Sequence, residues 1–407
     1  MIYPTSIPAL ILFPFLCFIG LPNSETTKAK PFTYLSFGRV DYVKAKLKIM
    51  KFDKITAHEN TYYNCKNNGD SSLRYIDAQK LNIIGKIKHG GKIFHRLDTS
   101  EFPLIPKNVK VLATQSAGLA VSFQTTSSRI LAKWCTSPRA TASNMTGIAF
   151  EGMDLYILRN NRWQFAGVAR PESHECEEAM IVENLPSGVK DCLLFLPTYD
   201  EIQSLKLGVD RKSIIFPLKN PFHKNILVYG SSIVQGASAS RPGLAYPARL
   251  SRETGYNFIN FGFSGSGKME TEVANMIASM KFDVCILDCV PNPSPEEILE
   301  RTRNLVLTIR KKHPRVPIIA IHSVAREKGN FDTKIQAKIK LKEQYFNQEI
   351  KSLQLKDSAL FLIDAKGLLG DDQEGTTDGI HPNDLGFDRM LQKIRPKILD
   401  ILHRYGI

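Results

Sequence analysis

The sequence predicts an α/β fold in which a three-layer α/β/α domain with a parallel sheet follows an antiparallel β-sandwich domain. From Pro221 onward, short apolar runs alternate with helical segments, a pattern typical of a parallel sheet wrapped by helices. From 71 to 215, short runs rich in Val, Ile, Phe and Trp are separated by turn residues, as in a sandwich. At 407 residues the chain is long enough for two such domains.

An uncharged apolar run from Ile7 to Leu21 lies near the start of the chain. Its length suits the core of a signal peptide better than a membrane span, which needs roughly 20 apolar residues. The terminal amine is the only positive charge before it, so an uncleaved anchor is the alternative. We expect residues 1–24 to be a signal peptide, the protein to be secreted or periplasmic, and no membrane span to remain after processing.

Residues 25–70 show little periodicity and are rich in lysine, which contributes to the net charge of +14. We predict a basic linker or poorly ordered extension here. No nucleic-acid-binding motif accompanies the charge, so we expect a solvated arm and no nucleic-acid partner.

The seven cysteines form no CxxC pair and no Cys/His cluster with zinc spacing, and we expect no metal site. In an exported protein, Cys176 and Cys192 are a candidate disulfide pair. Cys285 and Cys289 have the surroundings of buried strand residues.

In the sandwich region, 71–215, apolar runs predict the strands. The aromatic side chains of Trp134, Tyr156, Trp163 and Phe165 are expected to lie in the core. An Asn-X-Thr triplet begins at Asn144 and would matter only in a glycosylating host. The predicted strands are 109–113, 119–126, 129–134, 154–159, 163–169 and 192–197.

In the second region, 221–407, five strands alternate with helices. Ligands of such sheets bind beyond the carboxyl ends of the strands, so the loops that follow the strands are where chemistry is expected. The predicted strands are 225–229, 257–261, 283–288, 316–321 and 359–364, and the predicted helices are 246–254, 270–280, 295–312, 332–354 and 385–405.

These loops contain the groups that ester hydrolysis by a serine requires: a nucleophile, a base, an acid that orients the base, and donors for the oxyanion. Ser231 and Ser232 follow the first strand, and Asp378 and His381 lie three residues apart after the last. Gly265 after the second strand offers a backbone N–H, and Asn292 after the third offers a side-chain amide.

The segments GSSIVQG, NFGFSGSGKME, LDCVPN and DGIHPND resemble the four conserved blocks of the SGNH (GDSL-like) hydrolases, in their usual order. GMDLY (152–156), SRPG and DGIHPNDLGF are similar to motifs of the two-domain GDSL-like acylhydrolases, which carry a β-sandwich with a GxDLY motif. The resemblance covers residues 71–407.

The resemblance implies that Ser232 is the nucleophile, and that His381 and Asp378 complete the triad. It also implies that the oxyanion hole is formed by Ser232, Gly265 and Asn292, and that no cofactor is required. Ser231 stands where most members of the family have Asp, which leaves open which serine attacks. We favour Ser232 because it matches the serine of the family.

By resemblance, we expect an exported serine esterase that removes acetyl or other short acyl groups from carbohydrates, with an acylated small molecule or polysaccharide as its substrate. An inactive carbohydrate-binding protein with the same fold is the alternative. A phosphate-loop NTPase is a further alternative, because Gly262–Lys268 has the glycine and lysine spacing of that loop. Met269 argues against it, since Ser or Thr should follow the lysine.

Three other residues are candidates for the edge of the pocket. His322 ends the fourth predicted strand, while Arg241 and Tyr246 follow the serine segment and are equally compatible with a structural role. The sequence predicts no oligomeric state.

Overall fold

The computed structural model describes residues 70–407, except 89, 139, 140, 173, 174, 323, 325 and 365. The predicted signal peptide and nearly all of the basic extension lie outside the described residues, as do Cys17 and Cys65. The described residues belong to one compact unit. Within this part of the chain, no helix is long and apolar enough to cross a membrane.

An antiparallel sandwich is built from two sheets, with strand orders β1-β9-β4-β7 and β10-β3-β8-β5-β6; β2 also pairs with β3. Its core packs Phe123, Trp134, Leu155 and other apolar side chains of both sheets between them. The strands β1 to β10 are Leu73–Asp77, Asn82–Ile84, Ala120–Thr125, Ile130–Thr136, Met153–Arg159, Arg162–Ala169, Cys176–Val182, Lys190–Phe195, Ile202–Asp210 and Ile215–Pro217, and the helices α1 and α2 are Lys107–Ala113 and Gly147–Phe150.

The prediction of a strand at 109–113 is wrong, because this segment lies in α1. Val109 and Ala113, four residues apart, are buried, while Val111 between them is 47% exposed. That burial has the helical period rather than the period of two of a strand. Among the sandwich aromatics, Trp134 and Tyr156 are buried as predicted, but Phe165 is 49% exposed.

A disulfide joins Cys135 of β4 to Cys176 of β7, which lie opposite each other in the antiparallel pair. The predicted pairing of Cys176 with Cys192 is therefore wrong. Cys192 lies on β8 of the other sheet, where its thiol is buried and free. Cys285 and Cys289 are buried, free thiols.

The second region is a parallel sheet with the strand order β12-β11-β13-β14-β15, as the alternation of strands and helices predicted. Predicted and observed bounds differ by one or two residues at most ends. The strands β11 to β15 are His223–Gly230, Tyr256–Gly262, Val284–Asp288, Ile318–Ile321 and Leu360–Ile363, and the helices α3 to α8 are Ser232–Gln235, Tyr246–Thr254, Thr271–Ala278, Pro295–Lys312, Thr333–Gln354 and Asp384–Arg404.

Alternate residues of this sheet point to opposite faces, so each strand contributes to two cores. Leu227 and Tyr229 of β11 pack with α5, α6 and α7 on one face. Ile226 and Val228 pack with α4 and α8 on the other. The central strands are buried on both faces, which explains why their sequences read as continuous apolar runs.

The GMDLY and SRPG segments, which suggested the two-domain group, pack against each other across the two regions. Asp154 is fully buried, and its Oδ1 accepts a hydrogen bond from Gly243 N at 2.8 Å. Arg241 Nε lies 3.1 Å from Asp154 Oδ2 as an ion pair. A side chain at Gly243 would lie 2.5 Å from Tyr156 Cε2, so glycine is needed for this approach. Arg241 is thus a structural residue of this interface.

Arg96 is buried at the same junction and donates to backbone carbonyl groups. Its guanidinium bonds Gln115 O at 2.9 Å and Leu112 O at 2.6 Å on one side, and Gly262 O at 2.7 Å on the other. Burial lowers the pKa of Arg96 to about 9. The carbonyl groups solvate this buried cation and tie the sandwich region to the end of β12.

Candidate active site

The two serines after β11 have different surroundings. Ser231 is the N-cap of α3, and its hydroxyl accepts a hydrogen bond from Ile233 N at 3.2 Å. Ser232, the first residue of α3, has its Oγ 2.9 Å from His381 Nε2. Of the two hydroxyls, the one of Ser232 therefore faces the imidazole, while the one of Ser231 satisfies a helix amide.

Asp378 and His381 are held by the turn that they share. Asp378 Oδ2 lies 2.7 Å from His381 Nδ1, and Asp378 Oδ1 accepts from the backbone N–H groups of Ile380 at 2.9 Å and His381 at 2.8 Å. Burial raises the pKa of Asp378, but these hydrogen bonds and the His381 side chain outweigh it and lower the pKa to about 2. An ionised Asp378 keeps the proton on Nδ1, which leaves Nε2 free to accept the proton of Ser232.

The loop after β12 packs directly on the serine turn. Phe263 N donates to Gly230 O at 2.9 Å. A Cβ atom at Gly267 would lie 2.3 Å from Gly230 O, and one at Gly230 would lie 2.1 Å from Asp288 O. These glycines bring three strand ends together at van der Waals distance, and side chains there would separate the loops.

Two N–H donors lie on the loops that follow β12 and β13, the two strands that flank β11. Gly265 has φ +65° and open space around it. Asn292 Oδ1 accepts a hydrogen bond from Gly267 N at 3.2 Å, which fixes the amide and turns its Nδ2 the other way. Among the described residues, neither Gly265 N nor Asn292 Nδ2 has a hydrogen-bond acceptor. Such free, fixed donors are what a developing oxyanion requires.

Gln235, which the sequence reasoning did not single out, fixes the loop that carries Gly265. It is fully buried at the end of α3, and its Oε1 accepts from Ser264 N at 3.0 Å. Its Nε2 donates to Thr198 O at 3.0 Å and to Gln115 Oε1, both in the sandwich region. Gln235 therefore couples the sandwich to the candidate oxyanion loop.

Asn144 of the sandwich region reaches Asp378 and His381, which the sequence did not reveal. Its Nδ2 lies 3.0 Å from Asp378 Oδ2 and 3.1 Å from His381 Nδ1. With Nδ1–H directed at the carboxylate, the amide of Asn144 is the second donor to Asp378 Oδ2. No local pattern could have identified this residue, because 234 positions separate it from Asp378.

Asp288 ends β13 beside Gly230 of β11 and is 2% exposed. Tyr246 Oη donates to its Oδ2 at 2.9 Å, so Tyr246 has a structural role rather than a place at the pocket edge. Burial raises the pKa of Asp288 to about 7, although the hydrogen bond from Tyr246 opposes the rise. A titratable carboxyl group thus lies directly beneath the serine turn.

His322 is also structural, because its buried ring bonds Asn347 Oδ1 at 3.0 Å. The Gly262–Lys268 segment does not lead into a helix as a phosphate loop does: α5 begins only at Thr271. Met269 is buried between them. Among the described residues, no group of three or more His, Cys, Asp or Glu side chains could hold a metal ion.

Two family models match the chain. Residues 223–399 match the GDSL-like Lipase/Acylhydrolase family, and residues 73–215 match the GxDLY domain, the N-terminus of the SGNH-hydrolase-type esterases. No curated protein matches the chain.

Solved structures match over both regions. A protein from Bacteroides ovatus ATCC 8483, named as a GDSL-like lipase, is 50% identical, with 81% of this chain and 98% of that chain covered and a TM-score of 0.80. The salicylyl-acyltransferase SsfX3 from a tetracycline biosynthetic pathway is 16% identical, with coverages of 82% and 98% and a TM-score of 0.64. A family two carbohydrate esterase from Clostridium thermocellum, in complex with cellohexaose, is 10% identical, with coverages of 71% and 93% and a TM-score of 0.52.

The last two similarities concern the fold alone. The 50% identity over nearly the whole of the Bacteroides ovatus chain, together with the two family models, decides the family. The chain belongs to the GDSL-like lipase/acylhydrolase (SGNH) family, in the group with an N-terminal GxDLY β-sandwich, and is a carboxylic ester hydrolase.

Proposed function

We propose that the protein is an exported serine esterase that removes acetyl or other short acyl groups from carbohydrates through a Ser232–His381–Asp378 triad. One observation carries the proposal: the hydroxyl, the imidazole and the carboxylate form a continuous hydrogen-bonded relay, with steps of 2.9 Å and 2.7 Å. Such a relay activates a serine that is otherwise a weak nucleophile.

In the proposed first half-reaction, His381 Nε2 takes the proton of Ser232 as Oγ attacks the ester carbonyl. The tetrahedral oxyanion is held by the amides of Ser232 and Gly265 and by Asn292 Nδ2. His381 then returns the proton to the leaving alcohol, and an acyl-serine remains.

In the second half-reaction, His381 deprotonates a water molecule that attacks the acyl-serine. The same donors hold the second oxyanion, and its collapse releases the acid and restores the hydroxyl of Ser232. Each donor is worth about a hundredfold or more in rate, so the three donors supply a large part of the proposed catalysis.

Separate observations support the carbohydrate substrate and the export. The fold of a family two carbohydrate esterase resembles this one, and a sandwich precedes the hydrolase region. Export is supported by the apolar run of residues 7–21 and by the Cys135–Cys176 disulfide, since disulfides persist in oxidising compartments.

Turnover of 4-nitrophenyl acetate by the wild-type protein, Ser232→Ala and Ser231→Ala tests the mechanism. We expect Ser232→Ala to lose about 10⁴-fold or more in kcat/KM. Ser231→Ala, the matched control, loses only an N-cap and should keep most of its activity. Full activity of Ser232→Ala would remove Ser232 as the nucleophile.

The same experiment addresses the alternative of a binding protein without activity. If the wild-type protein turns over neither 4-nitrophenyl acetate nor acetylated polysaccharides, the binding role is favoured. Acetate release from a panel of acetylated xylan, pectin and glucomannan then identifies the carrier of the acyl group. Release from none of them, with turnover of the small ester retained, would contradict the carbohydrate part of the proposal.

A further inference from the structure

A cationic cavity lies beside the two candidate oxyanion donors. Its volume is about 440 Å³, enough for a short acyl chain or one sugar unit. Gly265 and Asn292 line one side, and Ile335 and Ile339 of α7 line another. Four basic side chains complete the lining: Lys268, Arg326, Lys338 and Lys342.

The positive charge of the cavity is only partly offset by the described residues: Glu270, Glu296 and Glu297 are near enough to act on Lys268, Lys338 and Lys342 in turn. None of their carboxylates forms an ion pair with any of the four basic side chains. Glu297 at the start of α6 is near, but it pairs with Arg301 at 3.0 Å. Its neighbour Glu296 accepts a hydrogen bond from Ser294 Oγ at 2.7 Å and lies exposed. The cavity therefore offers an incoming group cations that form no ion pair with a described carboxylate.

Two of the cations are held in place by one carbonyl group. Lys342 Nζ donates to Pro291 O at 2.9 Å, and Arg326 Nη2 donates to the same oxygen at 2.6 Å. Lys342 is 6% exposed, and burial, followed by the charges of Arg326 and Lys338, lowers its pKa to about 8. Cations buried together without an anion are costly, and a bound anion would offset that cost.

We propose that the cationic cavity binds a carboxylate or sulfate group of the substrate, a few bonds from the ester that is cleaved. The inference rests on the proposed esterase function and adds the charge of its substrate. Because the cavity shares Gly265 and Asn292 with the oxyanion site, a group bound in it lies close to the reacting carbonyl. The anion can belong to the acyl group or to the alcohol, and two pairs of substrates distinguish these sources.

The acyl side is tested with mono-4-nitrophenyl glutarate against 4-nitrophenyl pentanoate, which has the same chain length without the charge. The alcohol side is tested with methyl 2-O-acetyl-glucuronoside against methyl 2-O-acetyl-glucoside, with acetate release as the readout. In one pair, kcat/KM should favour the anionic member by about tenfold at low salt, and the ratio should fall as ionic strength rises.

The variants Lys268→Ala and Lys338→Ala test whether the cavity causes this preference. The amines of these two lysines make no hydrogen bond to other described residues. The amine of Lys342 and the guanidinium of Arg326, in contrast, also support the loop of Asn292. Each change should lower the anionic-to-neutral ratio about threefold, and the double variant about tenfold, as expected for partly exposed ion pairs. Lys340→Ala, an exposed lysine on the same helix, is the control.

A ratio within twofold of one in both pairs, or a preference that the double variant retains, would overturn the proposal. If the wild-type protein cleaves none of the esters, the esterase proposal fails. Whether the cavity is an anion site is then tested by binding alone. Glutarate or methyl glucuronoside should then raise the Tm of the wild-type protein, while methyl glucoside should not. Absence of that rise, or its persistence in the double variant, would refute the cavity as an anion site.

Discussion

Replacing Asp288 with asparagine should stabilise the protein more at pH 8 than at pH 5. Asp288 is 2% exposed and receives one hydrogen bond, from Tyr246 Oη at 2.9 Å. Ionisation places a charge in an apolar layer with that single donor, which is unfavourable. Asparagine keeps an oxygen that can accept from Tyr246 and never becomes charged.

The magnitude follows from the pKa, which burial raises from 3.8 to about 7. An acidic group whose pKa is higher in the folded state than in the unfolded state contributes its full stability below the unfolded-state pKa. That stability is lost as the pH rises to the folded-state pKa. Between pH 5 and pH 7 the wild-type protein should lose about 1.4 kcal/mol per pH unit, or about 3 kcal/mol. The asparagine variant should lose none of this.

Thermal unfolding of both proteins at pH 5 and pH 8 measures the effect. For a unit of roughly 340 residues, an unfolding entropy of about 2.1 cal/mol/K per residue converts 3 kcal/mol to about 4 °C in Tm. Asp400→Asn, an exposed carboxylate on α8, should show no such change with pH. The reasoning is refuted if the difference in Tm between Asp288→Asn and wild type is the same at pH 5 and pH 8. A smaller advantage of the variant over wild type at pH 8 than at pH 5 would refute it as well.

Three further changes test other features of the structure. Asn144→Ala should lower kcat/KM about tenfold at unchanged Tm, because it removes a charge-assisted donor from Asp378, the carboxylate of the proposed triad; an unchanged rate would contradict that role. Gly267→Ala should destabilise by about 1–3 kcal/mol, since the added Cβ overlaps a backbone oxygen, and a wild-type Tm would count against the packing. Cys135→Ser with Cys176→Ser should cost about 2–4 kcal/mol, whereas a linked peptide containing Cys192 in a non-reducing digest would disprove the pairing.

The hydrolase region was predictable because its strands are buried on both faces and its helices have a clear period. Helix 295–312 was predicted at the bounds that the structure shows, and Ser294 caps it with a capping box. The sandwich was less predictable. The short apolar run 109–113 is compatible with either a helix or a strand. Only the burial of Val109 and Ala113 in the structure distinguishes the two.

Among the site residues, the strand ends identified those that the structure brings together, Ser232, His381 and Asp378. The contribution of the sandwich could not be predicted. Asn144 and Gln235 act through contacts between distant segments, and neither the Asn-X-Thr triplet of Asn144 nor the GSSIVQG segment of Gln235 indicates those contacts. The prediction of the disulfide failed for a related reason, since the pairing depends on which strands share a sheet.

The contact between Asn144 and Asp378 also has a consequence for how activity develops as the chain folds. The relay joins positions that are 149 residues apart, and Asn144 adds a contact over 234 residues. Contacts between such distant positions form late, because the entropy cost of closing a long loop precedes the stabilisation that the contacts provide. The rate at which activity returns during refolding therefore reports the final docking of the two regions. The helix content does not report this step, because helices form from local segments.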